Sequence, residues 1–329
     1  MPELFNQQKK EAFLASTYTN EVQSRQCRYY LARLAPFEID WDADFSTFDE
    51  ARLKQALEEL AGVRDQSQNM MFHYLRRYVE WCKASGDPDV SDAIFHVKVD
   101  GLEKIRQRTV SSPEHLQQYL DAVYEPESEK TVDVTYRAYF WLAFAGMKEE
   151  DIIKVRCTDV DLDGMVIRYN GEEYPIYEQA VMTLQIASRL PVFKYRHPNY
   201  KSDIYRDRIA GDTLVRSFRD VRNVVTYRNS LSKAIHEALK DGRTTIRLSY
   251  SRTWLSGLFW RAYECEKAGG TVDFRQEAEQ FTERRRDAQN QPIPYALGDS
   301  RLTLEHKRRD VMRDYMADYK RWKRAWNLT

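Results

Sequence analysis

The chain of 329 residues lacks the features that mark metalloproteins, disulfide-bonded secreted proteins and membrane proteins. Its four cysteines, Cys27, Cys82, Cys157 and Cys265, lie far apart, and its six histidines form no His-Glu-x-x-His cluster. This spacing argues against a zinc site and a disulfide framework, so we expect isolated, buried or half-buried thiols, no metal and no cofactor. The longest apolar run, around Tyr139 to Met147, is far shorter than the roughly 20 residues of a membrane span.

A secretory leader is also missing from the opening residues, Met1-Pro2-Glu3-Leu4-Phe5, which carry no charged and apolar signal segment. The length and the 42% apolar content suffice for a sizeable core and more than one domain. We therefore expect a soluble cytoplasmic protein of two lobes with no membrane partner.

Net charge is absent as well, since 51 lysines and arginines balance 51 aspartates and glutamates. The distribution is uneven, however. Residues 1–110 carry 15 basic and 18 acidic side chains, residues 194–261 carry 15 and 6, and residues 301–329 carry 9 and 4. Two cationic stretches are expected if one face approaches phosphates, although a solvated helix face would give the same counts.

Helical spacing of apolar residues dominates the first hundred residues. It predicts helices over 6–34, 48–60 and 69–84, with a loop rich in Asp and Pro over 35–45. Gly86-Asp87-Pro88 ends the third helix. We expect a small all-helical domain over 1–100, followed by a short basic connector over 101–111.

The second part of the chain adds one clear β signal to further helices. Ser112-Pro113-Glu114 has the residue order of a helix start and places a domain boundary near residue 110. Residues 165–169 alternate as a strand does, Asn170-Gly171 is a strong hairpin signal, and a second strand follows over 172–177. Helical spacing returns at 179–190, 217–239, 253–266 and 310–326. The predicted fold is mainly α with a small β-hairpin or sheet.

Residues 141–167, WLAFAGMKEEDIIKVRCTDVDLDGMVI, resemble the first signature block of the tyrosine recombinases, the family of phage integrases. In that block an apolar helix, a small-residue turn, a second helix and a β-hairpin follow one another. Residues 45–86 look like the family's helical core-binding domain, and residues 110–120 look like the start of its catalytic domain. The resemblance implies a core-binding domain with a basic linker over 1–110, a catalytic-type domain over 111–329, and duplex DNA as a partner.

The family's active site surrounds the scissile phosphate with two arginines, a hairpin lysine, two His-type positions and a tyrosine nucleophile. The resemblance places Lys148 and Arg252 at the arginines and Ser249 at the first histidine. It places the terminal block at His306 and Tyr315, or alternatively at Leu297-Gly298-Asp299 with Tyr319 as the nucleophile.

Several of these positions depart from the family pattern. Lys148 keeps the charge of an arginine but lacks the fork that matches two phosphate oxygens. The hairpin turn from Asn170 to Tyr174 holds no lysine, and its Glu172 and Glu173 repel a phosphate. Since one transition-state donor is typically worth about 10²–10³ in rate, these departures predict the loss of most catalytic activity.

Each matched residue also has a purely structural explanation. Lys148 begins an ordinary acidic helix start, Arg252 suits a surface ion pair, and His306 stands among surface lysines and arginines. Tyr315 has the spacing of a packed residue in an aromatic helix.

The expected DNA contacts comprise the linker, which in this family crosses the duplex backbone, a basic loop, and arginines spaced three apart on a helix. They are Lys104, Arg106 and Arg108; Lys194, Arg196, Lys201, Arg206 and Arg208; and Arg216, Arg219, Arg222 and Arg252.

Three functions remain open on the sequence. The first is a recombinase-like DNA-binding regulator without cleavage activity, such as a prophage repressor that governs lysogeny and associates with the host nucleoid. The second is an active recombinase or integrase that uses Tyr315, and the third is a helical interaction protein without a DNA role. Further expected partners are a regulatory protein and a second copy of the chain, which exchanges its C-terminal helix unless that helix folds back on its own domain.

Overall fold

The computed structural model describes residues 3–124, 131–189, 192–195, 204–207, 212–215, 224–283 and 304–329. The chain divides into two compact units, the first formed by Met1–Ile105 with Phe274–Thr329 and the second by Arg106–Asp273. The expected second domain extended to residue 329, whereas this division groups the C-terminal segment with the first unit. Among the described helices, none combines the length and apolar character that a membrane crossing requires.

The described part of the first unit is entirely helical. Its helices are α1 (Gln7–Thr17), α2 (Glu21–Asp40), a 3-10 turn (Phe45–Thr47), α3 (Glu50–Leu60), α4 (Asp65–Ala84), α5 (Ala93–His96), α6 (Leu102–Arg106, which ends at the boundary), α13 (Arg275–Glu283) and α14 (Leu304–Ala325). In this unit α14 packs against α13 and α4.

The first predicted helix, 6–34, is wrong in its bounds. The predicted helix is interrupted at residues 18–20. The Asn20 side chain there accepts a hydrogen bond from the Val22 N–H at 2.8 Å and so caps α2. The predicted loop at 35–45 is also wrong in part, because α2 continues through Pro36 to Asp40. Buried side chains on both sides of that proline, including Leu34 and Glu38, hold the helix in place despite the lost hydrogen bond.

A buried ion pair lies inside the first unit. Lys10 Nζ contacts both carboxylate oxygens of Glu38 at 2.5 Å, and neither side chain is exposed to solvent. The Phe45 N–H also donates to Glu38 at 2.9 Å. Tyr78 and Phe45 pack beside the pair, with their ring centroids 5.0 Å apart. Two charges in such surroundings remain stable only while each keeps its partner.

The second unit is also mainly helical and contains the described strands. Its elements are α7 (Pro113–Val123), α8 (Thr131–Ala145), α9 (Glu149–Ile152), β1 (Val160–Asp161), β2 (Val166–Tyr169), β3 (Glu172–Pro175), α10 (Glu178–Arg189), β4 (Val192–Tyr195), β5 (Ile204–Asp207), α11 (Val224–Lys240) and α12 (Tyr250–Lys267). Strands β1, β2 and β3 form an antiparallel sheet, and β4 pairs with β5. The predicted fold class, mainly α with a small β-sheet, is confirmed.

Two local predictions agree closely with the second unit. The Ser112 side chain accepts from the His115 N–H at 3.2 Å and caps α7, with Pro113 at the first helical position. Asn170 and Gly171 both have positive φ, 52° and 79°, as the tight turn between β2 and β3 requires. The loop expected between residues 194 and 208 is instead partly an antiparallel strand pair.

Helix α8 forms the centre of the second unit. Every residue from Ala138 to Ala145 is buried, so the helix is apolar all round and must be covered on all sides. Helices α10 and α12 pack against it. Of the cysteines, Cys27 and Cys82 are buried and Cys157 is half-buried, but Cys265 on α12 is exposed, contrary to expectation.

Removal of Lys10 from the Lys10–Glu38 pair is expected to lower the free energy of unfolding by an amount that depends on pH. Burial raises the pKa of Glu38 from 4.5 to about 7, although Lys10 opposes this. Because the pKa of Glu38 is higher in the folded protein than in the unfolded chain, its protonation adds to the free energy of unfolding. This stabilisation is fully present below pH 4.5 and is lost as the pH rises through about 7. Replacing Lys10 by Met removes the opposing cation, and we expect the free energy of unfolding to fall by about 3–5 kcal/mol at pH 7.

Urea unfolding of Lys10→Met at pH 5 and pH 7 measures this effect. The variant regains part of its stability at pH 5, because the folded protein then binds the proton that neutralises Glu38. The control is the double variant Lys10→Met/Glu38→Gln, in which the difference between the two pH values disappears. An equal loss at both pH values in the single variant contradicts the prediction.

Candidate nucleic-acid interface

The turn between α8 and α9 carries one of the matched positions, Lys148. Gly146 in this turn has φ +106°, and a Cβ there would lie 2.8 Å from an Nη of Arg261. The Tyr250 hydroxyl donates to the Met147 carbonyl at 2.9 Å, and the Trp254 indole N–H donates to the Gly146 carbonyl at 2.9 Å. These bonds hold the turn that carries Lys148 against the first turn of α12.

Helix α12 carries the other two matched positions of this unit. Ser249 is exposed at the N-cap, with its Oγ 3.2 Å from Ser251 Oγ, and Arg252 is half-buried in the first turn. The close packing of α12 on α8 fixes both, since a Cβ on Gly257 would lie 1.8 Å from the Phe144 carbonyl oxygen. The structure thus gathers Lys148, Ser249 and Arg252 around one helix start.

A cavity of about 350 Å³ opens beside this helix start, between α8, α9 and α11. Glu149 lies in its wall, only 3% exposed, and accepts from the Tyr139 hydroxyl at 2.5 Å. Arg228 Nε donates to Glu149 at 2.7 Å, and a second guanidinium nitrogen contacts the other oxygen. Burial raises the pKa of Tyr139, and the hydrogen bond to Glu149 raises the pKa of Arg228.

Glu149 thus places a buried carboxylate, paired with Arg228, in the wall of the cavity beside Ser249. Sequence analysis missed Glu149 and Arg228, because the pairing of α9 with α11 joins residues far apart in the chain. The hairpin supplies no compensating charge: Arg168 on β2 is bound to Asp161 at 2.9 Å and to Glu173 at 3.0 Å.

The C-terminal matched positions lie in the first unit, on α14. His306 is exposed in the first turn of this helix. Tyr315 is 6% exposed, and its ring lies 4.8 Å from the Arg64 guanidinium carbon and 5.8 Å from the Phe274 ring centroid. The alternative, Tyr319, is 2% exposed and stacks on Trp322. Both tyrosines thus have the packing role that the aromatic spacing of the helix indicates.

The expected DNA contacts are only partly within the described residues. Lys104 forms an ion pair with Glu59 at 2.8 Å, and Arg106 and Arg108 are half-buried. Backbone pairing places Lys194 opposite Tyr205 and Arg206 opposite Phe193. The remaining predicted contacts lie outside the described residues; these are Arg196, Lys201, Arg208, Arg216, Arg219 and Arg222.

A basic groove of about 730 Å³ on the first unit was not predicted. We call it the α4 groove; one wall is the solvent-facing side of α4 and the other is the segment 97–99. Its lining residues are Gln68, Asn69, Phe72, His73, Arg76, Arg77, Glu80, Val97, Lys98 and Val99.

The two arginines of the α4 groove lie over aromatic rings, and Arg76 Nε also donates to the Ile94 carbonyl at 3.3 Å. Arg76 lies over the Phe72 ring at 5.2 Å, and Arg77 lies over the Tyr18 ring at 5.0 Å. Neither they nor Lys98 form an ion pair with any carboxylate in the described ranges. The spacing of residues 69, 73, 76 and 77 along one helix face was the available signal. The net charge of residues 1–110 is negative, so the charge count over that range did not reveal these basic residues.

Comparison with known proteins covers helix α4, which forms one wall of this groove. Residues 4–84 match the family model described as "MrpR, N-terminal core-binding domain". The matched range runs from before α1 to the end of α4, so the predicted N-terminal core-binding domain is confirmed.

Among solved structures, one titled "Crystal structure of XerA recombinase" is 14% identical to this chain. The alignment covers 80% of this chain and 85% of that one, with a TM-score of 0.34. No curated protein matches the chain.

The close contact between α12 and α8 yields a prediction about the helix start at Ser249. In Gly257→Ala the added methyl meets the Phe144 carbonyl, so α12 must shift, at a cost of about 1–3 kcal/mol or more in the free energy of unfolding. Urea unfolding measures the loss. Lys267→Ala, at the exposed end of the same helix, is the control and stays within about 0.5 kcal/mol of the parent protein. Equal stability of the two variants would refute the close approach.

Proposed function

We propose that this protein is a double-stranded DNA-binding regulator that occupies its site without cutting it, such as a prophage repressor. The observation that carries the proposal is the α4 groove, in which Arg76, Arg77 and Lys98 line one surface of a core-binding domain. Arg76 Nε donates to the Ile94 carbonyl at 3.3 Å, and the remaining guanidinium donors of Arg76 and Arg77 suit a phosphate backbone, where each contact adds affinity through counterion release.

The neighbourhood of Lys148 supports the absence of cleavage. In-line displacement at a phosphodiester needs cationic donors on the non-bridging oxygens. Here Lys148 replaces a forked donor, Ser249 replaces a histidine, and the Glu149 carboxylate in the cavity wall occupies Arg228. The burial of Tyr315 beside Arg64 adds to this, because a nucleophile must reach phosphorus.

An active recombinase is the second candidate, and one observation favours it. The two cations at the family's arginine positions, Lys148 and Arg252, are both present and are held at the same helix start. In this alternative, Tyr315 leaves its packed position to attack the phosphate.

Binding is tested with labelled duplexes from the chain's own genomic neighbourhood in a native gel-shift assay over salt concentrations from about 50 to 200 mM. We expect a shift whose affinity falls steeply with salt. The double variant Arg76→Gln/Arg77→Gln weakens binding about tenfold or more and flattens the log–log salt slope by about two, because two phosphate contacts are lost.

The matched control is Arg52→Gln/Lys54→Gln, which removes the same charge from exposed positions on α3 outside the groove. Equal weakening in both double variants would mean that net charge, and not the groove, binds DNA. No shift of any duplex at low salt would refute DNA binding altogether.

Cleavage is tested with nicked suicide substrates and denaturing electrophoresis. We expect no covalent protein–DNA species from the parent protein. A covalent species that disappears in Tyr315→Phe would establish the recombinase and overturn the regulator.

A further inference from the structure

A buried arginine on the C-terminal helix α14 bonds to residues 62–100 of the first unit. The Arg321 guanidinium donates to the carbonyls of Gly62 and Val63 at 3.3 Å each, and to the carbonyl of Asp100 at 2.8 Å. It also donates to Gln68 Oε1 at 2.6 Å. We call these four acceptors the Arg321 socket.

The socket is a close fit. Gly101, with φ +62°, has no side chain, and a Cβ there would lie 3.0 Å from an Nη of Arg321. One turn earlier on α14, the Asp318 carboxylate accepts from the Asp65 N–H at 2.6 Å and pairs with Arg64. Arg321 itself is only 8% exposed. A buried guanidinium with these acceptors fixes the position of α14 on the unit more specifically than apolar packing alone does.

The socket is continuous with the α4 groove. Gln68 lines the groove and accepts from Arg321, while its own Nε2 donates to the carbonyl of Val99. Val99 belongs to the opposite wall of the groove, and the next residue, Asp100, also bonds Arg321. Arg321 therefore ties α4 to the segment 97–101, although it does not itself line the groove.

We propose that Arg321 is a positioning residue for DNA binding, through which docking of the C-terminal helix holds the two walls of the α4 groove at the spacing that its cations need. The inference rests on the proposed DNA-binding function. Without α14 in the socket, Lys98 and its neighbours lose their fixed position relative to Arg76 and Arg77. The docked helix thus corresponds to the form of the protein that binds DNA.

The test uses the full-length chain and compares Arg321→Met with Arg313→Met. Arg313 lies on the same helix, is largely exposed and pairs only with Asp310 among the described ion pairs, so its replacement removes the same charge without touching the socket. We expect about tenfold weaker duplex binding for Arg321→Met and a change of less than about twofold for Arg313→Met. Arg321→Lys, which keeps the charge and part of the donor set, gives an intermediate loss and serves if Arg321→Met does not fold.

A double-mutant cycle separates positioning from direct contact. If Arg321 acts through the groove, its replacement has a smaller effect in the Arg76→Gln/Arg77→Gln background than in the parent protein, because only Lys98 is then left to be positioned. Independent effects that add would mean that Arg321 contacts DNA itself or acts elsewhere, and would overturn the inference. A second readout needs no DNA: hydrogen exchange of the 97–105 backbone is faster in Arg321→Met, and unchanged exchange would overturn the inference as well.

The outcomes also distinguish this inference from the function on which it rests. If Arg76→Gln/Arg77→Gln loses affinity while Arg321→Met retains it, the α4 groove binds DNA without help from α14, and only the positioning role fails. If Arg76→Gln/Arg77→Gln binds as the parent protein does, the groove is not the DNA site and the positioning inference fails with it, whereas DNA binding itself is refuted only when no duplex is shifted at low salt.

Discussion

A buried guanidinium needs an acceptor for its donors, and in this protein that requirement joins the two ends of the chain. Arg321 meets it with backbone carbonyls from the loop before α4 and from the segment after α5, and with one side-chain amide. None of these acceptors belongs to α14 itself. Once α14 is docked and Arg321 is out of water, these acceptors satisfy its donors, and the bond to the Asp100 carbonyl links α14 to the segment 97–101. The position of α14 in the first unit depends on these hydrogen bonds.

The second unit is organised around a different constraint, the close approach of α12 to α8. Gly257 leaves room for the Phe144 carbonyl, and Tyr250 and Trp254 bind the turn at the end of α8. The start of α12 is consequently rigid, and three positions that resemble a recombinase active site lie around it. The charges there are mixed, because Glu149 holds Arg228 in the adjoining cavity wall. The packing of α12 on α8 thus places charges of both signs around one helix start.

Features that depend on neighbouring residues were predicted more accurately than features that depend on residues distant in the sequence. The cap at Ser112 and the turn at Asn170-Gly171 were predicted correctly, because each depends on residues within a few positions of one another. The break at Asn20 was missed although its capping signal was local, since the apolar spacing continued across it. The pairing of β4 with β5 was missed because strand pairing depends on a partner that periodicity does not show. The α4 groove was not predicted because the acidic side chains of residues 1–110 outnumber the basic ones over that whole range.

The sequence by itself determined the mainly helical class, the local starts and turns, and the core-binding domain. These properties depend on residue type and short spacing, which the chain carries at every position. Only the tertiary structure decided which charges remain available and which are paired. Arg76 and Arg77 face a groove, whereas Arg228 is bound to Glu149 and Arg321 is buried in its socket. The physical reason is that an arginine's role depends on the acceptors around it, and folding brings those acceptors from distant parts of the chain.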